Sequence, residues 1–261
     1  MSFNEDQSEL LVACFDRYIY RIANEETPRV LGRIGPLKYQ VKQVEWVGAG
    51  LAFALTESGH IYKLDILRGE FISGKTETNA VWDIKTANQG TTHWVAFEDG
   101  YVRELRVDSG ALEVLREYNP GLGMIRRLIP TEDGKLFVLA ANSGVVALLD
   151  ADLKPMWSYS TAPLLREFAL SGQNLLVCTE QGELTLLNAT SGRLQWMRNF
   201  DVPLWCCSIS PDGRDFLVSH RLCDRGDQEA ESSGSPASIL IGNLMTGEIS
   251  RTCSKFGNIK K

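Results

Sequence analysis

Lys42, Trp82, Arg126, Arg166, Cys206 and Lys260 recur along the chain at separations of 40, 44, 40, 40 and 54 residues. Four of the six are cations, in a 261-residue chain whose formal net charge is −6. Each follows an apolar residue, in turn Val41, Val81, Ile125, Leu165, Trp205 and Ile259. A planar guanidinium binds a carboxylate or phosphate through two parallel hydrogen bonds, and an indole gives flat contact area beside it. The candidate partner-binding residues are therefore Lys42, Trp82, Arg126, Arg127, Arg166 and Lys260, with Arg126 and Arg166 as the bidentate anion ligands. The alternative is that Asp83, Glu167 and Glu45 pair with these cations in surface networks, which contribute little.

Other chemistry finds less support. The three histidines, His60, His93 and His220, fall at or beside turns and strand ends, with no Ser or Cys motif that would make a nucleophile–base pair. They read as exposed or satisfied side chains. The six cysteines (Cys14, Cys178, Cys206, Cys207, Cys223 and Cys253) lack the C-x-x-C spacing of a zinc site, and most lie in apolar runs. They read as free thiols of a cytoplasmic protein. No catalytic, metal or cofactor residue is assigned.

The recurrence demands a repeating scaffold, and residues 174–213 show its unit. Asn174–Thr179 is a short apolar run, Gln181-Gly182 a turn, and Glu183–Asn188 an alternating strand. Thr190-Ser191-Gly192 turns into Arg193–Asn199, and Leu204–Ser210 runs to Pro211-Asp212-Gly213. Three series of turn signals repeat in phase: Arg17, Gly59, Gly100, Gly144, Gly182; Gly69, Gly110, Gly192, Gly247; and Gly50, Gly90, Gly134, Gly172, Gly213. Four strands in about 41 residues is the period of a propeller blade, which must stack on copies of itself to bury both faces.

The expectation is an all-β chain: a single six-bladed β-propeller of four-stranded antiparallel blades occupying residues 1–261. The blades fall near 2–34, 41–76, 81–118, 125–159, 165–199 and 205–254. An insertion at 221–236, rich in Ser, Gly, Asp and Glu, reads as an acidic surface loop. At the ends, Ser2-Phe3-Asn4 and Ile259-Lys260-Lys261 are expected to share the inner strand of blade one and close the ring. The alternative is frayed tails beside a three-stranded blade one.

Two families resemble this pattern. LLNATSGRLQW at 186–196, and more loosely LLDADLKPMW at 148–157, look like the repeat of pyrroloquinoline-quinone-type propellers. The resemblance implies that Trp157 and Trp196 pack between blades. ISPDGRDFLVSH at 209–220 looks like the inner strands of a WD-repeat propeller, although the Trp-Asp and His-Asp signatures are missing. Quinone-dependent dehydrogenases of the first kind carry adjacent cysteines, which here are matched only by Cys206-Cys207. Lactonase-type hydrolases, the alternative function, hold a metal with inner-strand Glu, Asn and Asp. Here Glu45, Asp83 and Glu167 share that tier with Arg126, Arg127 and Arg166, which oppose a divalent ion.

The function expected is a non-catalytic interaction scaffold or binding subunit of a multiprotein assembly, docking a partner's acidic segment on its basic face. Negative net charge without a long basic run argues against nucleic acid as the partner. No apolar run is long enough to span a membrane, and the N-terminal segment MSFNEDQSEL lacks signal-peptide character, so the location expected is cytoplasmic.

Overall fold

A computed structural model describes residues 1–48, 50–76, 80–87, 92–108, 111–220 and 238–253. These form six four-stranded antiparallel sheets, each built from four strands consecutive in sequence. The strands run over residues 2–34, 41–76, 81–118, 125–160, 165–199 and 204–253. The expected insertion at 221–236 and the C-terminal residues 259–261 lie outside the described residues. The chain divides into two compact units, residues 1–138 with 149–154, and residues 139–148 with 155–261, each described by itself below.

In the first unit, the second strands of blades two and three are covered on both faces. Ala52–Thr56 of blade two and Thr92–Phe97 of blade three are wholly buried. That double burial explains why these strands read as continuous apolar runs and not as alternating ones. Leu11, Ile19, Val41, Val44, Ala54 and Leu64 form one core between blades one and two. Phe53, Leu55, Ile61, Val81, Val95 and Phe97 form the next, between blades two and three. Ser2 and Phe3 pair with Leu11 and Leu10, so the N-terminal residues do supply a strand beside the second strand of blade one.

In the second unit, Leu176, Cys178, Leu184 and Leu186 of blade five pack on Leu204, Cys207, Phe216 and Val218 of blade six. The two expected interblade tryptophans are found here. Trp157 Nε1 donates to the Ala189 carbonyl at 3.1 Å, and Trp196 Nε1 to the Leu244 carbonyl at 2.7 Å. Each indole lies under the glycine of the following blade's turn: a Cβ on Gly192 would sit 2.6 Å from Trp157, and one on Gly247 3.0 Å from Trp196.

The turn series has a stereochemical basis. Gly59, Gly100, Gly144 and Gly182 all adopt positive φ, a region that a Cβ disfavours. Arg17, their counterpart in blade one, adopts φ 75° without being glycine. Leu153, at φ 65°, takes the corresponding role in blade four, where the glycine series skips a member.

The first strands share one irregularity. Val41 and Gln43 pair with Thr56 and Leu55, which leaves Lys42 as the extra residue of a bulge. Trp82, Arg166 and Trp205 are skipped in the same way in blades three, five and six. A bulge re-aims its extra side chain and shifts the alternation beyond it. The buried positions of the first strands are accordingly three apart: Val41 and Val44, Val81 and Ile84, Ile125 and Leu128, Leu165 and Phe168, Leu204 and Cys207. This corrects the sequence alignment in blade six by one residue. Trp205, not Cys206, is the counterpart of Lys42, Trp82, Arg126 and Arg166, and Leu204 takes the apolar place before it.

Candidate anion-binding face

In the first unit the recurring residues Lys42 and Arg126 converge on Trp82. The Lys42 ammonium lies 3.7 Å from the centroid of the Trp82 ring and the Arg126 guanidinium carbon 5.2 Å from it. Such contacts stabilise by about 0.5–2 kcal/mol, more as water is excluded. Lys42 Nζ also donates to the Val81 carbonyl at 3.4 Å. Arg127 is held by backbone: its Nη1 donates to the carbonyls of Trp82 at 3.3 Å and Arg126 at 3.1 Å. Four of the six candidates, Lys42, Trp82, Arg126 and Arg127, are thus brought together.

The electrostatics of the cluster are visible at Lys42. Burial pushes its ammonium below the ordinary lysine value, Glu57 opposes that shift, and the charges of Arg126 and Arg127 reinforce it. The acids that sequence offered as neutralising partners have other engagements. Asp83, buried, accepts the Leu128 N–H at 2.9 Å. Glu45 lies 3.7 Å from Lys85, and burial raises its carboxyl above the usual range. Trp82 Nε1 is buried without an acceptor among the described residues.

The second unit repeats the motif in smaller form. Arg166 stacks on Trp205 at 3.9 Å, and its Nη2 pairs with Glu180. That ion pair compensates Arg166 within its own blade. Sequence placed Trp205 one position early, as the apolar residue before Cys206, because Trp205 satisfies an apolar place as well as Leu204 does. The apolar spacing Leu204…Cys207, matching Val41…Val44, was the available signal. Lys260 lies outside the described residues.

The remaining chemistry-bearing groups are placed as follows. Cys206 is exposed and Cys207 is buried, the opposite orientations expected of neighbours on a strand. Burial, with Cys178 beside it, pushes the Cys207 thiol well up, away from the thiolate form. The five described cysteines are all free thiols. His60 conforms to expectation, with Nδ1 3.1 Å from Ser58 Oγ. His93 does not: it is 2% exposed, edge-on to Phe53 at 4.7 Å, and its Nδ1 has no partner among the described residues. Its position one residue into a doubly covered second strand buries it. His220 also departs from expectation, its Nδ1 being buried without a described partner. Among the described residues no group of three or more His, Cys, Asp or Glu is placed to hold a metal ion, and no helix is long and apolar enough to cross a membrane.

No family model matches the chain, and no curated protein matches it. Among solved structures, the crystal structure of the WD40 β-propeller domain of Doa1 superposes with a TM-score of 0.70 at 16% identity. The match covers 83% of this chain and 73% of that one. At that identity the likeness speaks to fold, and it agrees with the strand count, the sheet order and the phased turns: the chain is a six-bladed, WD-repeat-like β-propeller of four-stranded antiparallel blades.

Proposed function

We propose that the protein is a non-catalytic interaction subunit that docks an acidic segment of a protein partner on the cluster Lys42, Trp82, Arg126 and Arg127. The observation that carries this reading is the convergence of two cations, Lys42 and Arg126, on one half-buried indole with Arg127 on the backbone carbonyl of the same residue, and Lys42 depressed by burial and by its neighbours' charge. Like charges held together at a partly desolvated position favour an incoming carboxylate, which lowers the repulsion as it binds. Arg166 on Trp205 and Lys260 are the proposed secondary contacts. The free thiols agree with work in a reducing compartment such as the cytoplasm. A likeness to a WD40 propeller suits such a role in general terms, because propellers present strand-entry loops as a rigid docking platform.

The test is quantitative capture from the host's own lysate by wild type and by Arg126→Ala with Trp82→Ala, each variant checked for wild-type thermal unfolding. A partner retained by wild type and lost by the variant, with capture falling as salt is raised, is the expected result. Equal capture by both proteins would remove the cluster from the binding site.

A further inference from the structure

A second set of side chains stands beside the cation cluster in the same unit, and neither the fold nor the cluster requires it. The segment leading into the first strand of blade two carries Lys38, Tyr39 and Gln40. These residues, with Arg17, Glu57 and Ser58, line a cavity of about 370 Å³. Tyr39 is its aromatic wall, and a run of rings continues from it: Tyr39 to His60 at 4.7 Å, His60 stacked on Tyr62 at 6.0 Å, and Tyr62 to Phe71 at 5.8 Å. Ser58 Oγ lies on His60 Nδ1 at 3.1 Å and so orients the ring. The Lys38 ammonium lies 5.1 Å from the Tyr39 centroid.

Two observations mark this as more than a solvated surface. Arg17 holds a left-handed backbone, φ 75°, where blades two to five use glycine. A non-glycine residue there costs about 1–2 kcal/mol, and such strain is retained where the side chain has a use. Tyr39 also lies three residues before Lys42, so at most about 11 Å of chain separates the aromatic wall from the cation cluster. Glu57 belongs to both places, lining the cavity and acting on the charge of Lys42.

We propose that this cavity is an aromatic-accepting subsite for the same acidic segment. An aromatic side chain of the partner would lie against Tyr39 and His60, two to four residues from an acidic side chain held by Lys42 and Arg126. The spacing follows from about 3.3 Å per residue of an extended peptide across that separation. The chemistry of the occupant follows from the lining. The Tyr39 ring, backed by His60, favours an aromatic contact at low entropic cost, and the cations Arg17 and Lys38 in the lining favour acidic flanking residues over basic ones. This inference rests on the docking reading above and specifies its ligand.

The test is selection of a displayed library of random 12-residue peptides on the full-length chain, run in parallel on wild type, Tyr39→Ala and Arg126→Ala. The peptides enriched on wild type are expected to carry an aromatic residue two to four positions from Asp or Glu. Synthetic copies of them should lose tenfold or more in affinity on Tyr39→Ala in fluorescence anisotropy. Replacing the peptide aromatic by Ala should cost as much on wild type and little on Tyr39→Ala. Peptides that are acidic but show no aromatic position, or whose aromatic contributes equally on both proteins, would overturn the subsite and leave the docking face standing. Failure to enrich acidic peptides, or enrichment indifferent to Arg126→Ala, would overturn both. Lys38→Glu supplies a variant that cannot act by opening a void: it should weaken the same peptides several-fold.

Discussion

Four tryptophans divide into two pairs with opposite roles. Trp157 and Trp196 sit in fourth strands, donate their indole N–H to a carbonyl of the next blade, and lie beneath a turn glycine. Trp82 and Trp205 sit at bulges in first strands, lie against cations, and leave their indole N–H without a described acceptor. A buried polar group is normally satisfied within the protein, so the first pair has the signature of structure. The second pair keeps hydrogen-bonding and stacking capacity in reserve. The difference lies in which residue a bulge leaves unpaired: beside Trp196 the register shift skips Gln195 and Trp196 keeps Leu186 as its partner, whereas Trp82 is itself the skipped residue and is redirected out of that packing.

The largest expected effect tests the structural pair. Trp196→Ala should lose about 3 kcal/mol of unfolding free energy in urea, because it opens a void against Phe216 and orphans the Leu244 carbonyl. Trp82→Ala should lose less than about half of that. Equal losses would erase the distinction between the pairs.

Acid should attack the interior in the same way. Burial first, and then the charge of Lys63, push the His93 imidazole down to about 4. Between that value and about 6.5 the unfolded chain binds a proton that the folded chain does not, so stability falls as pH drops through this window. The loss should approach about 3 kcal/mol at the bottom of the window, and His93→Gln should flatten the slope of stability against pH measured by denaturant titration.

On the face, Arg126→Ala should weaken partner binding about tenfold, or about 1.4 kcal/mol, while shifting stability by less than about 1 kcal/mol. Calorimetric titration with the captured partner reads the first quantity and thermal unfolding the second. The smallest binding effect belongs to Arg166→Ala. Glu180 already compensates that guanidinium, so binding should change by less than about threefold. Removing Arg166 leaves Glu180, whose side chain is 14% exposed, without its partner, and the cost should appear as about 1 kcal/mol of stability instead. A larger binding loss at Arg166 than at Arg126 would reverse the ranking of the two clusters.

Most of the scaffold was legible because its rules are local. Turn glycines must return wherever φ is positive, and strand lengths follow from the spacing of turns. The interblade places of Trp157 and Trp196 followed from the resemblance carried by residues 148–157 and 186–196, whereas the glycine that each lies under did not. The face was only half legible. Lys42, Trp82, Arg126 and Arg127 were found by counting periods, but Trp205 was displaced by one because it satisfies an apolar place as well as Leu204 does. His93 was misplaced for a related reason: a polar residue beside a turn reads as exposed, and only the two covering blades bury it.

The amino-acid sequence by itself determined the repeat, the strand order and the composition of the recurring position, since each depends on backbone preferences within a few residues of chain. Tertiary structure decided which of those side chains meet. Lys42, Trp82 and Arg126 come from three different blades, and they converge where bulges re-aim Lys42 and Trp82 while the buried residues three positions apart anchor each strand. Folding also decided that Arg166 is compensated by Glu180 of its own blade and that Lys42 lies near the like charges of Arg126 and Arg127 from a different blade. Charge in a sequence is a sum, whereas the field at a site depends on distances and burial that only the packed chain sets.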